Sequence, residues 1–328
     1  MVKDEVLKYL EINKGKLVSG GELSKELNVS RTAVWKAVNS LKEQGYDIET
    51  VSKEGYKLSA LDNTISEYAV KKNLNTEFIG KDIEIFKVIN STNTYLKENA
   101  SQIPNQGKLV IAENQTQGKG RRGRSFFSPS QRGIYMSILL RPDIDFEDIT
   151  MITVISAVAV NEALNTVLGI DTQIKWVNDI LYNGKKLCGI LTEASIEGEI
   201  SHIAYLVVGI GINVSEGKEG FPQELKPIAT SIESITDKYC DKNLLIAEIM
   251  NSFEKYYKLF KEIDGRKIII ETYKNKLVML GKNIKVIQAD KTYYAKALDI
   301  NEKAELIIQQ QDGVKKVLNS GEISIREI

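Results

Sequence analysis

A seven-residue stretch, Gly118-Lys119-Gly120-Arg121-Arg122-Gly123-Arg124, does most to limit what this chain can fold into. It follows Leu109-Val110-Ile111-Ala112, which reads as a short buried strand. It precedes Ser125-Phe126-Phe127-Ser128-Pro129, which cannot continue as a helix past its proline. A loop therefore leaves the end of a strand without opening a helix. Gly118, Gly120 and Gly123 satisfy the G-x-G-x-x-G spacing, and Gly118 to Ser125 falls one residue short of the phosphate-loop pattern, with Arg124 where lysine is expected. Both motifs hold phosphates at a helix N-terminus, so both are disfavoured here. From Asn114 to Pro142 there are six basic residues and no acidic one. Glycine lets backbone N–H groups close on an anion, and the cations add charge-assisted hydrogen bonds. The plainer alternative is a solvated basic loop.

The chain has 328 residues, enough for two or three domains, and is 42% hydrophobic, enough for packed cores. Lys+Arg and Asp+Glu are both 44, so nucleic-acid binding would have to rest on local asymmetry. Cys188 and Cys240 lack metal-ligand spacing. The N-terminus has no apolar signal core and no apolar run reaches membrane-spanning length, which points to the cytoplasm and to no membrane partner.

Residues 3–12 read as an amphipathic helix, and Glu22 to Leu27 as a short second one. Ser30 is placed to cap a third from Arg31 to about Gln44, with Ala33, Val34, Ala37, Val38 and Leu41 as its buried stripe. Arg31, Thr32, Trp35, Lys36 and Asn39 occupy the other face. This is the length and chemistry of a helix-turn-helix, with Gly45 to Ser59 as a hairpin wing turning at Lys53-Glu54-Gly55. Residues 1–62 carry ten basic and ten acidic side chains, so DNA contact is assigned to Ser30, Arg31, Thr32, Trp35, Lys36 and Asn39 rather than to a general basic surface. The bland alternative is a small protein-interaction domain.

A second domain is expected over 63–274. Ile65 to Leu74 reads as a helix, Ile83 to Ile89 as a strand, and Ser91 or Thr92 caps a helix to about Ala100. Gly133 to Leu140 is a strand, and Ile149 to Leu168 a buried, nearly all-apolar helix ended by Gly169. Gln173 to Val177 is a strand, Asn183-Gly184 a hairpin turn, and Ala204 to Val214 a strand. Helices at about Asn243 to Phe260 and Arg266 to Lys274 close this domain. Five short strands after Asn275 suggest a small β-barrel over 275–328. The fold class is thus multidomain α+β: a winged helix-turn-helix, a central mixed-sheet α/β domain and a small barrel.

Four segments converge in this reading: Ser91-Thr92-Asn93, the loop after Gln115, Lys175-Trp176-Val177-Asn178-Asp179 with Lys186, and Gly209 to Asn213. Together with the helix-turn-helix, and with Gly321-Glu322-Ile323-Ser324-Ile325-Arg326 at the end, the chain resembles the bifunctional biotin protein ligase and biotin operon repressor family. The resemblance implies activation of biotin by ATP, with Mg²⁺, and transfer to a lysine of a biotin carboxyl carrier protein. It also implies operator DNA as a partner and a homodimer when biotinyl-adenylate is bound. By position, Ser91, Thr92, Asn93, Gln115, Lys119, Gly120, Arg121 and Lys186 resemble the biotin-binding set, with Lys186 and Arg121 as the catalytic pair. Arg122, Arg124, Asn178, Asp179 and Asn213 resemble the adenylate-binding set, and Phe221-Pro222 a second covering loop. No metal ligand is assigned, and the single histidine, His202, reads as an outward-facing strand residue. The chain departs from the family at Lys119, where arginine is usual, and at Val177, where proline is usual. Two alternatives stay open: a lipoate-type protein ligase, and a biotin-sensing regulator without transfer activity.

Overall fold

A computed structural model describes residues 2–197, 202–288, 291–319 and 322–325. Two compact units emerge, one of residues 1–73 with 241–244 and one of 74–240 with 245–328.

In the first unit, α1 (Val2–Ile12), α2 (Gly20–Glu26) and α3 (Arg31–Glu43) precede the hairpin β1 (Ile48–Val51) and β2 (Gly55–Leu58) and a short helix α4 (Glu67–Lys71). α2 starts two residues before its expected Glu22 because Ser19 takes the cap, its hydroxyl accepting from Glu22 N at 3.0 Å. Ser30 caps α3 as expected, accepting from Ala33 N at 3.1 Å. Val34, Ala37, Val38 and Leu41 are buried with Val6, Leu10, Leu23 and Leu58, whereas Ala33 is only half-buried. α4 is shorter than the helix expected over Ile65 to Leu74, since Ser66 caps it.

The second unit is built on a seven-stranded mixed sheet. Its elements are β3 (Ile83–Phe86), α5 (Thr92–Asn99), β4 (Leu109–Ala112), β5 (Gly133–Leu140), α6 (Ile149–Leu168), β6 (Gln173–Lys175), β7 (Asp179–Tyr182), β8 (Lys185–Glu197) and β9 (His202–Asn213). The strand order is β3-β4-β5-β9-β8-β7-β6, and only β3 and β4 run parallel. That order rules out a doubly wound nucleotide fold, as the proline after the basic loop foretold. α6 has 20 residues and is long and apolar enough to cross a membrane, which corrects the expectation that no run reaches that length. In the fold it is a core helix, its side chains buried from Met151 to Val160, and Gly169 ends it at φ 71°.

α7 (Lys242–Leu259) and α8 (Gly265–Lys274) follow. β10 (Asn283–Gln288), β11 (Lys291–Ile300), β12 (Leu306–Gln310), β13 (Lys315–Leu318) and β14 (Glu322–Ile325) then form an antiparallel sheet in the order β13-β12-β11-β10-β14. All five expected strands are present, and among the described residues no β13–β14 pairing closes the ladder. The orientation of His202 and the positions of Gly321 and Arg326 lie outside the described residues.

Candidate active site

One row of the sheet sets the floor of a cavity. Register pairs Ser137 with Gly209 and Gly209 with Leu191, and the next row pairs Tyr135 with Gly211 and Gly211 with Gly189. Side chains alternate along strands, so both rows face the same side. Side chains laid across that face need the glycines. A Cβ on Gly209 would stand 2.2 Å from Asn93 Oδ1, and one on Gly211 would stand 2.5 Å from the Phe126 ring. The first turn of α5 and the basic loop therefore lie directly on backbone.

The walls are the segments that the sequence brought forward. Ser91, Thr92, Asn93, Gln115, Lys119, Gly120, Arg121, Asn178 and Lys186 all line one cavity that is open to solvent. Ser91 caps α5, accepting from Thr94 N at 3.4 Å. Gln115 is anchored at both ends: Oε1 accepts from Thr92 N at 2.9 Å, and Nε2 donates to Ser128 Oγ at 3.1 Å. The basic loop folds back on itself through Gly120 N to Arg124 O at 2.7 Å and Phe126 N to Gly118 O at 2.8 Å. Arg122 is left-handed at φ 56°, a conformation that costs a non-glycine residue energy. Arg121 donates to Asn178 Oδ1 at 3.1 Å, while Asn178 Nδ2 donates to Ile190 O at 2.8 Å.

Lys186 reaches the cavity through a β-bulge. Ile180 pairs with Cys188 and Leu181 with Lys186, so the register skips Leu187. Without the bulge Lys186 would share the face of buried Cys188, the side on which α6 packs and Thr192 meets Thr153 at 2.7 Å. With it, the ammonium sits on the glycine face, 5.8 Å from the Phe126 ring centroid and 2.7 Å from Asp179 Oδ1. That oxygen has no aligned hydrogen bond, so the contact is an ion pair with a lone pair to spare. A Cβ on Gly189 would crowd Nζ at 2.9 Å.

Four members of the expected adenylate set, Arg122, Arg124, Asp179 and Asn213, stand outside the cavity lining, Asp179 reaching it only through Lys186. Arg122 and Arg124 are exposed on the outer side of the loop. Asn213 donates to Thr230 O at 3.1 Å, stitching segment 229–230 to the sheet. Phe221 is buried. Val177, after a cis Trp176–Val177 bond, is buried with its carbonyl accepting from Tyr273 OH at 3.0 Å.

Phe126, Ser137 and Glu193 were not singled out by the sequence reading. Ser137 is the one hydroxyl in Gly133-Ile-Tyr-Met-Ser-Ile-Leu-Leu140 apart from Tyr135, and such a buried polar residue must find a partner. In the first unit, Arg31, Thr32, Trp35 and Lys36 are exposed on α3 and Asn39 is half-buried, while Ser30 is used as the cap. Trp35 is 54% exposed, unusual for that residue type.

Residues 85–213 match the Biotin/lipoate A/B protein ligase family, residues 3–57 an HTH domain, and residues 279–326 the Biotin protein ligase C terminal domain. Fold and site together define a biotin/lipoate-class ligase with an appended helix-turn-helix. The chain is 37% identical over 305 residues to the Bifunctional ligase/repressor BirA of Bacillus spizizenii, covering 92% of each. It is 28% identical to the Escherichia coli protein of the same name, covering 95% of this chain and 94% of that one. A biotin protein ligase from Aquifex aeolicus, solved with biotin and ATP, superposes with a TM-score of 0.65 at 31% identity, over 76% of this chain and 100% of that one. The chain belongs to the bifunctional ligase/repressor BirA family.

Proposed function

We infer that this protein activates biotin with ATP to biotinyl-5'-adenylate, transfers the biotinyl group to a lysine of a biotin carrier protein, and represses transcription when the adenylate is bound. The observation that carries the reading is the convergence of Lys186, Arg121 and the Ser91–Asn93/Gln115 wall on one glycine-lined sheet face.

A carboxylate attacking the α-phosphate of ATP brings two anions together and expels a third. Lys186 Nζ and the Arg121 guanidinium offset that charge at the reacting atoms. Asp179 holds Lys186 in place until the phosphate competes for it, and Asn178 aims Arg121. No protein nucleophile is required. Mg²⁺ would enter with the nucleotide substrate and supply further charge compensation there. The carrier amine then attacks the acyl carbon and AMP leaves. Lys119 would supply charge over the intermediate from the cavity wall, Arg122 and Arg124 would reach it only if the loop turned inward, and Asn213 would hold the segment beside the nucleotide.

The buried hydroxyl and amide of Thr92 and Asn93, with the half-buried Gln115 amide, favour a head group that hydrogen-bonds, as a ureido ring does, over the apolar dithiolane of lipoate. On α3, Arg31, Thr32, Trp35, Lys36 and Asn39 would meet operator DNA, with Ser30 setting the helix start. Two copies would bind together when biotinyl-adenylate is present. A cytoplasmic location is consistent with this reading. Transfer of radiolabelled biotin to a carrier domain, with and without ATP and with lipoate in competition, tests the ligase reading. Failure of ATP-dependent transfer would leave only a biotin-sensing regulator, and preference for lipoate would overturn the substrate.

A further inference from the structure

Beneath the head-group wall runs a continuous chain of polar groups that ends on a carboxylate outside the cavity lining. Lys97 Nζ meets Glu193 Oε1 at 2.7 Å, and Asn93 Nδ2 donates to Glu193 Oε2 at 2.8 Å. Ser137 Oγ donates to Asn93 Oδ1 at 2.6 Å, and Ser137 Oγ and Thr92 Oγ1 lie 2.6 Å apart. Thr92 Oγ1 also stands 3.1 Å from Gln115 Oε1.

Proton counting gives this chain one direction. An ionised carboxylate only accepts, so Asn93 must turn its amide nitrogen to Glu193 and its oxygen to Ser137. Ser137 has one proton and gives it to that oxygen. A 2.6 Å contact between two hydroxyl oxygens needs a proton between them, and only Thr92 has one left. Thr92 therefore donates to Ser137, and Gln115 Oε1 is satisfied by Thr92 N instead. The Thr92 oxygen then faces the cavity with lone pairs alone.

We propose that Glu193 is a positioning residue for the head-group pocket: its carboxylate orients the chain Asn93–Ser137–Thr92 so that Thr92 Oγ1 accepts, selecting a ligand that brings an N–H. This rests on the biotin reading above, in which the ureido ring supplies that donor. Glu193 is suited to the task because it stays ionised. Burial raises its pKa, but hydrogen bonds from Lys97 and Asn93 and the charges of Lys97 and Lys119 together lower it below the ordinary value. The backbone keeps the chain in register, since Asn93 is pressed on Gly209 and its second N–H faces Leu191 O at 3.4 Å.

The test compares biotin with an analogue methylated on its ureido nitrogens, in the full-length protein and in Glu193→Gln. The amide of the variant can donate as well as accept, so Asn93 is free to turn over and reverse the chain. KM for biotin should rise by about tenfold or more, the effect of a lost buried hydrogen bond. KM for ATP and kcat should stay within about twofold, because Glu193 touches no reacting atom. The preference for biotin over the methylated analogue, clear in the wild type, should collapse toward unity. Glu193→Ala also frees Asn93 to turn over and should collapse the same preference, so the test survives a folding defect in either variant. An unchanged preference in a folded variant, or equal weakening of both ligands, overturns the proposal. Wild-type protein that binds no biotin would instead overturn the functional reading beneath it.

Discussion

The ammonium of Lys186 lies between an acidic partner and an aromatic face, Asp179 at 2.7 Å and Phe126 at 5.8 Å, with over a third of the side chain open to solvent. A mobile, charge-matched amine of this kind can leave its carboxylate for a phosphate. Lys186→Ala should lower adenylate formation by about 10²–10³, with thermal unfolding little changed. Pyrophosphate release and a melting curve check it, and near-normal release would remove Lys186 from the mechanism. Gly209 offers a complementary case, in which an absent atom matters. Gly209→Ala places a methyl 2.2 Å from Asn93 Oδ1 and must push Asn93 off the sheet. The KM for biotin should rise by roughly tenfold to a hundredfold while that for ATP moves little, and overpacking should cost about 1–3 kcal/mol of stability. Steady-state kinetics with each substrate varied in turn reads both values. These residue positions differ in how legible they were. A glycine pair in a strand, Gly209-Ile210-Gly211, signals close approach, but nothing local says that Asn93 and Phe126 are what approaches.

α7 carries a carboxylate that works on a neighbouring segment rather than on a ligand. Glu254 is 3% exposed and accepts from Glu77 N at 2.5 Å, Phe78 N at 3.1 Å and Ile79 N at 3.0 Å, with Lys258 Nζ at 3.0 Å. Burial raises its pKa, but the N–H groups of Glu77 and Ile79, then Lys258 and the Phe78 N–H, outweigh it and lower the value overall. A carboxyl with a depressed folded pKa stabilises the fold above its unfolded pKa, and that contribution is lost as pH falls through the folded one. Glu254→Gln should therefore cost about 1–3 kcal/mol near neutral pH, since its amide turns a donor toward backbone donors. The gap from wild type should narrow as pH drops below the ordinary carboxylate range. Chemical denaturation at several pH values checks it, and a gap independent of pH would show that the charge is not what holds residues 77–79. The helix itself was plain from its apolar periodicity. Its clamp was not, because the partners are backbone groups about 175 positions away in sequence.

At the scale of the whole molecule, the two activities call for two surfaces, the cavity of the second unit and the exposed face of α3 in the first. Operator binding should tighten when biotin and ATP are both supplied, with two copies on a two-fold related site. Lys36→Ala should weaken operator binding uniformly across sequence variants. If Lys36 meets a phosphate, it should also reduce the slope of log affinity against log salt by about one. Titrations at several salt concentrations, with and without the two substrates, measure both effects. Equal affinity with and without the substrates would sever the coupling and leave DNA binding intact. An unchanged slope would move Lys36 off the DNA.

Local pattern was enough for the helices and strands, because burial of one face imposes a period that the residues must show. Ser30 before an apolar stripe, Gly169 after one and Asn183-Gly184 between two strands marked their boundaries by the backbone conformations that caps and turns demand. The basic glycine loop, unable to open a helix, excluded the nucleotide folds that its spacing imitates. Sequence alone could also gather Ser91–Asn93, Gln115, Arg121 and Lys186 as one candidate set. It could not decide which way they face. A one-residue bulge at Leu187 turns Lys186 from the buried side of the sheet to the cavity, and a single-residue change of register reverses a strand's faces. Nor could it find Glu193 and Ser137, whose roles exist only once β5, β9, β8 and α5 lie side by side. Proton direction along a hydrogen-bond chain is a property of contacts between segments, and tertiary structure alone supplies those.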